Sequence, residues 1–301
     1  MEKTLNPLLN AANQVILGKD LQIKLCICCL LAEGHLLIED IPGVGKTTLS
    51  HTLAKLLGVN YQRIQFTSDI LPADIVGASV YDTENNRFDF KPGPIFNQMI
   101  LADEINRSTP KAQSALLEAM EEHQVTVDGK TYSLPRPFFV IATQNPSHQI
   151  GTYPLPESQL DRFLMCIKLG YPTPAAEREL LSGQSRHTMI SNLDTQLSIE
   201  QLFAIQKQVK SIYCSEALLD YLQNLIQYTR ESPEYSCGLS PRAGLALLSA
   251  AKAWAFIEGR DAVIPDDIQA ILPAVAEHRL RSSNTEPGAA SRALLQKVPV
   301  Q

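Results

Sequence analysis

Three observations predict an α/β fold with a parallel sheet flanked by helices, followed by an all-helical domain. Between about residues 36 and 169, short apolar or alternating runs suited to strands recur between helix-patterned segments, the alternation that builds a parallel sheet. Beyond about residue 171 the strand signal ends and one helix start follows another. Between the first such strand and its helix lies Pro42-Gly43-Val44-Gly45-Lys46-Thr47, the layout of a phosphate-binding loop.

The chain has 301 residues, enough for about two domains. At 45% hydrophobic and 19% charged it has the balance of a globular protein. A net charge of −6 supplies no general basic field to recruit nucleic acid or anionic lipid. The first residues lack the basic region and apolar core of a signal peptide, and no apolar run nears the ~18 residues of a membrane span. The expectation is a cytoplasmic protein.

Residues 4–34 read as two helices broken at 15–20, the second almost wholly apolar and suited to lie against a sheet. Cys26, Cys28 and Cys29 read there as small apolar residues of a buried face rather than as a zinc or redox site. The turn Ile16-Leu17-Gly18 has two readings, the lining of an adenine pocket or plain core packing.

The strand from residue 36 then enters the glycine-rich loop, and the helix behind it carries Leu49, Leu53, Leu56 and Leu57 on one face until Gly58 stops it. Glycines let backbone N–H groups turn inward as an anion nest, and the helix start adds partial positive charge. Pro42 to Thr48, by way of Gly43, Val44, Gly45, Lys46 and Thr47, form the candidate nucleotide loop. Lys46 would reach the β/γ-phosphates and the Thr47 hydroxyl would bind Mg²⁺. A plain strand–helix turn does not explain a lysine at a helix start, where a cation opposes the macrodipole. The strict pattern places glycine at position 40, where this chain has Asp40.

Residues 60–66 alternate like a strand, 71–77 form a short helix, and 79–90 form a hairpin around Asn85-Asn86, an insertion suited to carrying specificity. The apolar run 95–104 reads as a strand that ends in Asp103 and Glu104. Carboxylates at the carboxyl end of such a strand sit where ligands bind open α/β sheets. Asp103 suits the Mg²⁺ shell and Glu104 suits polarising an attacking water. A helix follows over 108–122, with Thr109 as its N-cap and Pro110 at its first position. Asp128-Gly129 marks a second hairpin over 124–134. The buried strand 137–143 delivers Gln144-Asn145-Pro146, where Asn145 is either a ligand to γ-phosphate and lytic water or a turn asparagine.

A short helix over 156–163 carries Arg162, a structural salt-bridge residue or an arginine finger offered to a neighbouring subunit; both readings stand. The boundary falls at residues 170/171, giving a nucleotide-binding core over 1–170 and a helical domain over 171–301. Helices are expected near 198–210, 215–230, 241–258 and 265–280, the first opened by the capping box Ser198 to Gln201. Ser240 caps the third and Pro241 starts it, which leaves Arg242 in the first turn, the unfavourable end for a cation. A bound phosphate or a nearby carboxylate would resolve that conflict. Residues 277–280 suggest no chemistry, and the tail after about 283 is expected to be loosely held.

Together Ile41 to Thr47, Leu101 to Arg107, Ser114 to Glu122, Ala142 to Pro146, Gln159 to Phe163 and Ser240 to Ala243 resemble the MoxR family of AAA+ ATPases over nearly the whole chain. Ser158 and Leu239 depart from the family pattern in small ways. The resemblance implies an AAA+ P-loop core with a five-stranded parallel sheet, a helix-2 insert near 78–92, a pre-sensor-1 hairpin near 124–134 and an all-α lid. It implies ATP and Mg²⁺, with Lys46 and Thr47 as Walker A, Asp103 and Glu104 as Walker B, Asn145 as sensor 1, Arg162 as a trans arginine finger and Arg242 as sensor 2. It also implies a hexamer with a von Willebrand factor A domain partner, hydrolysing ATP to ADP and phosphate to remodel or mature a protein client. Two rivals differ in class. A nucleic-acid motor or loader is disfavoured by a hairpin with one lysine, Lys130, beside Asp128. A nucleotide-gated scaffold with little hydrolysis is disfavoured by the intact Asp103, Glu104 and Arg162.

Overall fold

The computed structural model describes residues 2–145, 151–183, 185–282 and 288–300. The chain divides by internal contacts into two compact units, one of residues 37–162 with 168–195 and one of residues 1–36, 163–167 and 196–301.

The central sheet has five strands in the order β2-β5-β8-β1-β9: β1 (Leu36–Glu39), β2 (Tyr61–Gln65), β5 (Met99–Asp103), β8 (Phe139–Gln144) and β9 (Met165–Ile167). β2 runs parallel to β5, and β5 parallel to β8. All five residues of β5 are buried, as a strand covered on both faces requires. This order, which no local pattern reveals, sets β1, β8 and β5 side by side. The segments leaving their carboxyl ends, at 40–48, 145 and 103–104, therefore converge.

The helix after β1 is α3 (Lys46–Leu56), and Leu49, Leu53, Leu56 and Leu57 are all buried, the face its spacing predicts. α4 (Pro72–Val76) leads into the antiparallel hairpin β3 (Gly77–Asp82) and β4 (Arg87–Pro92). Gly77 is obligatory at that junction: its φ is +96°, and a Cβ would meet the Lys91 carbonyl oxygen at 2.2 Å. β5 begins at Met99 instead of Ile95. The backbone before it is spent on the hairpin base, with Ile95 N donating to Ile75 O at 3.2 Å and Phe96 N to Gly93 O at 3.2 Å. α5 (Pro110–Glu122) precedes the second hairpin, β6 (Gln124–Val127) and β7 (Lys130–Ser133). Its two-residue turn has positive φ at Asp128 (50°) and Gly129 (75°), the type I′ geometry that Asp-Gly favours. Phe90 of the first hairpin stacks on Tyr132 of the second, ring centroids 4.1 Å apart. α6 (Glu157–Leu160), α7 (Pro174–Ser182) and α8 (Arg186–Ser191) complete this unit. α7 starts at Pro174 with the Thr173 hydroxyl accepting from Ala176 N at 3.3 Å.

The other unit is built on α1 (Glu2–Val15), α2 (Asp20–Leu31), α9 (Ile199–Lys210), α10 (Glu216–Glu231), α11 (Pro241–Ile257), α12 (Pro265–Ala276) and α13 (Ala289–Lys297). α11 packs against α2, α9 and α12, and its buried Ala243, Gly244, Ala246, Ala250 and Ala251 permit close approach. Cys26, Cys28 and Cys29 are fully buried. Burial pushes their thiols well above the usual range, so they pack as small apolar groups. Among the described residues, no helix is long and apolar enough to cross a membrane.

The end of the chain corrects the sequence reading. Residues 283–287 lie outside the described residues, but residues 289–297 are the ordered helix α13, with Leu294 fully buried. The Glu277 carboxylate accepts from Gly288 N at 2.9 Å and Ser291 N at 3.1 Å, satisfying donors at the start of that helix. Arg279 Nη2 donates to the Phe163 carbonyl at 2.6 Å and Nη1 to that of Leu164 at 3.1 Å. Residues 277–280 thus hold structure together.

Candidate functional site

The carboxyl ends of β1, β5 and β8 enclose a cavity of about 360 Å³ lined by Pro42, Gly43, Gly45, Lys46, Thr47, Thr48, Arg63, Asp103, Glu104 and Asn145. Val44 alone of the loop residues is not part of the lining. Gly43 and Gly45 have φ of +86° and +96°, and a Cβ on either would meet no atom of the described residues within 4 Å apart from its chain neighbours. The turn thus needs glycine for its backbone conformation, and its concave side is open to a ligand. Gly45 is the cap of α3, so the helix start with its unpaired N–H groups opens at the same place.

Lys46 is buried at 8% exposure, and its Nζ donates to the Asp40 carbonyl at 2.7 Å. Burial lowers its pKa, while the carboxylates of Asp40, Asp103 and Glu104 act in the opposite sense. Asp40 resolves the departure from the strict loop pattern. Its Oδ1 accepts from Ile41 N at 2.8 Å, and its Oδ2 accepts from Leu169 N and Gly170 N, each at 2.6 Å. A glycine there could not tie the loop to the segment behind it. Asp40→Ala leaves these N–H groups without their acceptor and is expected to cost about 2–4 kcal/mol in chemical denaturation. A loss under about 0.5 kcal/mol, the level of an ordinary surface change, would refute the tie.

The two carboxylates are held differently. Asp103 Oδ1 accepts from the buried Thr143 hydroxyl at 2.6 Å. Its Oδ2 accepts from Arg63 Nη2 at 2.6 Å and Nε at 3.1 Å. Thr143 Oγ1 also accepts from Glu104 N at 2.8 Å, so one hydroxyl orients both acidic positions. Glu104 lies at φ 57°, ψ 46°, in the left-handed region, where β5 stops and a 3₁₀ turn over Ile105–Arg107 begins. That conformation is costly for a residue with a Cβ and tends to occur where function requires it. Its Oε1 accepts from Asn145 Nδ2 at 3.2 Å, and its Oε2 from Gln65 Nε2 and Arg107 Nη1, each at 3.0 Å. Asn145 is buried at 3% exposure, with its carbonyl accepting from Asn106 Nδ2 at 3.0 Å.

This arrangement has known relatives. Residues 35–165 match the ATPase family associated with various cellular activities (AAA), and residues 227–298 match the AAA lid domain. Protein YeaC of Bacillus subtilis is 47% identical over 93% of this chain and 88% of its own length. Chaperone MoxR1 of Mycobacterium tuberculosis is 39% identical over 92% of this chain and 75% of its own length. The chain belongs to the MoxR family of AAA+ ATPases. A crystal structure from Cytophaga hutchinsonii, described as a candidate ATPase, matches this MoxR-family chain with a TM-score of 0.87 and 36% identity, covering 100% of it and 96% of the other.

The Mg²⁺ that this MoxR membership implies fits the donors present. The Thr47 hydroxyl and the Asp103 carboxylate both line the cavity and offer hard oxygen donors of the kind magnesium takes. Among the described residues no cluster of three or more His, Cys, Asp or Glu is arranged to hold a metal. A magnesium bound through one carboxylate, a hydroxyl, waters and substrate phosphates needs no such cage.

Of the remaining sequence candidates, Arg162 does not line this cavity; its Nη2 pairs with Glu121 Oε2 at 3.0 Å, both side chains partly exposed. Arg242 is exposed on the first turn of α11, where the Ser240 hydroxyl accepts from Ala243 N at 3.0 Å, and it belongs to the other unit. Pro146 lies outside the described residues. Sequence reasoning missed Arg63, Gln65, Arg107 and Thr143. The alternation of Arg63 and Gln65 with buried Ile64 and Phe66 marks a polar face on β2, but only the pairing of β2 with β5 brings it to Asp103 and Glu104.

Proposed function

We infer that this protein binds ATP with Mg²⁺ in the cavity at the carboxyl ends of β1, β5 and β8, and hydrolyses it to ADP and phosphate. The observation that carries the reading is the convergence there of Lys46, Thr47, Asp103, Glu104 and Asn145. Lys46 and the glycine turn hold the β- and γ-phosphates, while Thr47 and Asp103 hold the cation. Magnesium, when bound, neutralises charge on the phosphates as the terminal one is transferred. Glu104 takes the proton of the attacking water, and Asn145, bonded to that carboxylate, orients the water and the γ-phosphate. In this reading Arg242 senses the nucleotide from the helical domain, and Arg162 leaves Glu121 to complete a neighbouring subunit's site.

The work performed is the remodelling or maturation of a protein client by a cytoplasmic hexamer, with a von Willebrand factor A domain protein as partner. The name of the relative Chaperone MoxR1 supports the client-remodelling part of this reading. The exposed Val80, Tyr81 and Phe88 of the first hairpin offer apolar surface of the kind a client would meet. Phosphate release from Mg²⁺–ATP by the full chain tests the hydrolytic claim, and its absence would refute it.

A further inference from the structure

Asp103, a metal ligand in the proposed function, has both oxygens engaged by protein donors. Oδ1 is taken by Thr143, whose side chain is fully buried and also receives Glu104 N. Oδ2 is gripped by two nitrogens of Arg63, at 2.6 and 3.1 Å. The first contact is fixed by packing. The second is not: the Arg63 side chain is 48% exposed, while that of Asp103 is 11% exposed. Arg63 Nη2 also donates to Gln65 Oε1 at 2.6 Å. A long side chain so placed can leave the carboxylate by a change of rotamer.

The charges around it favour such an exchange only when phosphates are present to receive the released guanidinium. Asp103 pairs with Arg63, and Glu104 pairs with Arg107, so each acidic group at the cavity already has its own guanidinium. A divalent cation arriving at Asp103 Oδ2 meets the positive charge of Arg63 at the same oxygen. A guanidinium released from Asp103 still lines the cavity, where its planar fork matches phosphate oxygens.

We propose that Arg63 is the resident counter-charge of Asp103, holding that carboxylate until a divalent cation binds and then turning to the nucleotide phosphates. Arg63 thereby opposes loading of the metal without nucleotide and ties the two binding events together. The inference rests on the reading of the cavity as a Mg²⁺–nucleotide site.

Equilibrium binding of a fluorescent ADP analogue, titrated with Mg²⁺ and repeated in EDTA, tests it without any turnover. In Arg63→Ala the free Mg²⁺ giving half-maximal enhancement should fall by roughly three- to tenfold, the scale of losing a partly exposed charge-assisted competitor. Binding in EDTA should weaken, because Asp103 then faces the phosphates without its counter-charge. Arg63→Lys, which keeps the charge but not the two-nitrogen grip, should fall between parent and Ala. In an Asp103→Asn background the Ala substitution should no longer change the metal dependence. An unchanged ratio of affinities with and without Mg²⁺ in Arg63→Ala, with the parent chain binding normally, would overturn this inference alone. A parent chain that binds no nucleotide under either condition would overturn both it and the function on which it rests.

Discussion

Arg162→Ala is expected to bind nucleotide like the parent chain and to lose roughly 10³–10⁵-fold in turnover, the range of an arginine finger. Arg162 does not line the cavity of its own chain, so a loss of that size requires it to act on another copy. Its contact with Glu121 at 3.0 Å joins two partly exposed side chains, a kind of pair worth about 0–1 kcal/mol. Breaking it cannot account for several powers of ten. Glu121→Ala removes the same ion pair, leaves the guanidinium in place, and should keep activity within a few-fold. Mixing supplies the decisive contrast. Arg162→Ala chains retain Glu104, and Glu104→Gln chains retain Arg162. An equimolar mixture should therefore recover activity in roughly a quarter of its sites, those in which each chain supplies what its neighbour lacks. No recovery from freely exchanging subunits would mean that Arg162 acts within its own chain.

Glu104→Gln should retain nucleotide binding and lose about 10²–10⁴-fold in turnover, the contribution of a positioned general base. Glutamine preserves the size of the side chain, and its amide oxygen can still accept from Asn145, now bonded to Glu104 Oε1 at 3.2 Å. It cannot take a proton from water. Lys46, Thr47 and the glycine turn are untouched, so affinity should change little in fluorescent nucleotide titration. Unimpaired phosphate release by this variant would remove Glu104 from its role.

Much of the fold was legible because its elements are specified locally. Asp128-Gly129 produces the expected hairpin, with Val127 paired to Lys130, and Ser198, Ser215 and Ser240 each accept a backbone N–H at a helix start. The five-stranded sheet and helical lid implied by the family resemblance are present. The failures lie where partners come from distant parts of the chain. α13 seemed a loose tail because the Glu277 carboxylate at its start and the Tyr235 hydroxyl donating to Ala290 O at 3.0 Å leave no local trace. The site divides in the same way. The motifs that carry Lys46, Asp103, Glu104 and Asn145 were visible as short patterns. Arg63, Gln65 and Thr143 hold those carboxylates only because β2, β5 and β8 lie in that order. Asp40, which looked like a fault in the loop, is explained by two N–H groups 129 and 130 residues away.

The central claim, that the cavity around the glycine turn hydrolyses ATP, is tested most directly by phosphate release from Mg²⁺–ATP over a range of protein concentrations, with Lys46→Ala measured beside the parent chain. The account predicts release whose specific rate rises steeply with concentration as subunits assemble. It predicts almost none from Lys46→Ala, which loses the buried ammonium that the phosphates need. Equal release by the two proteins, or none from the parent at any concentration, would contradict it.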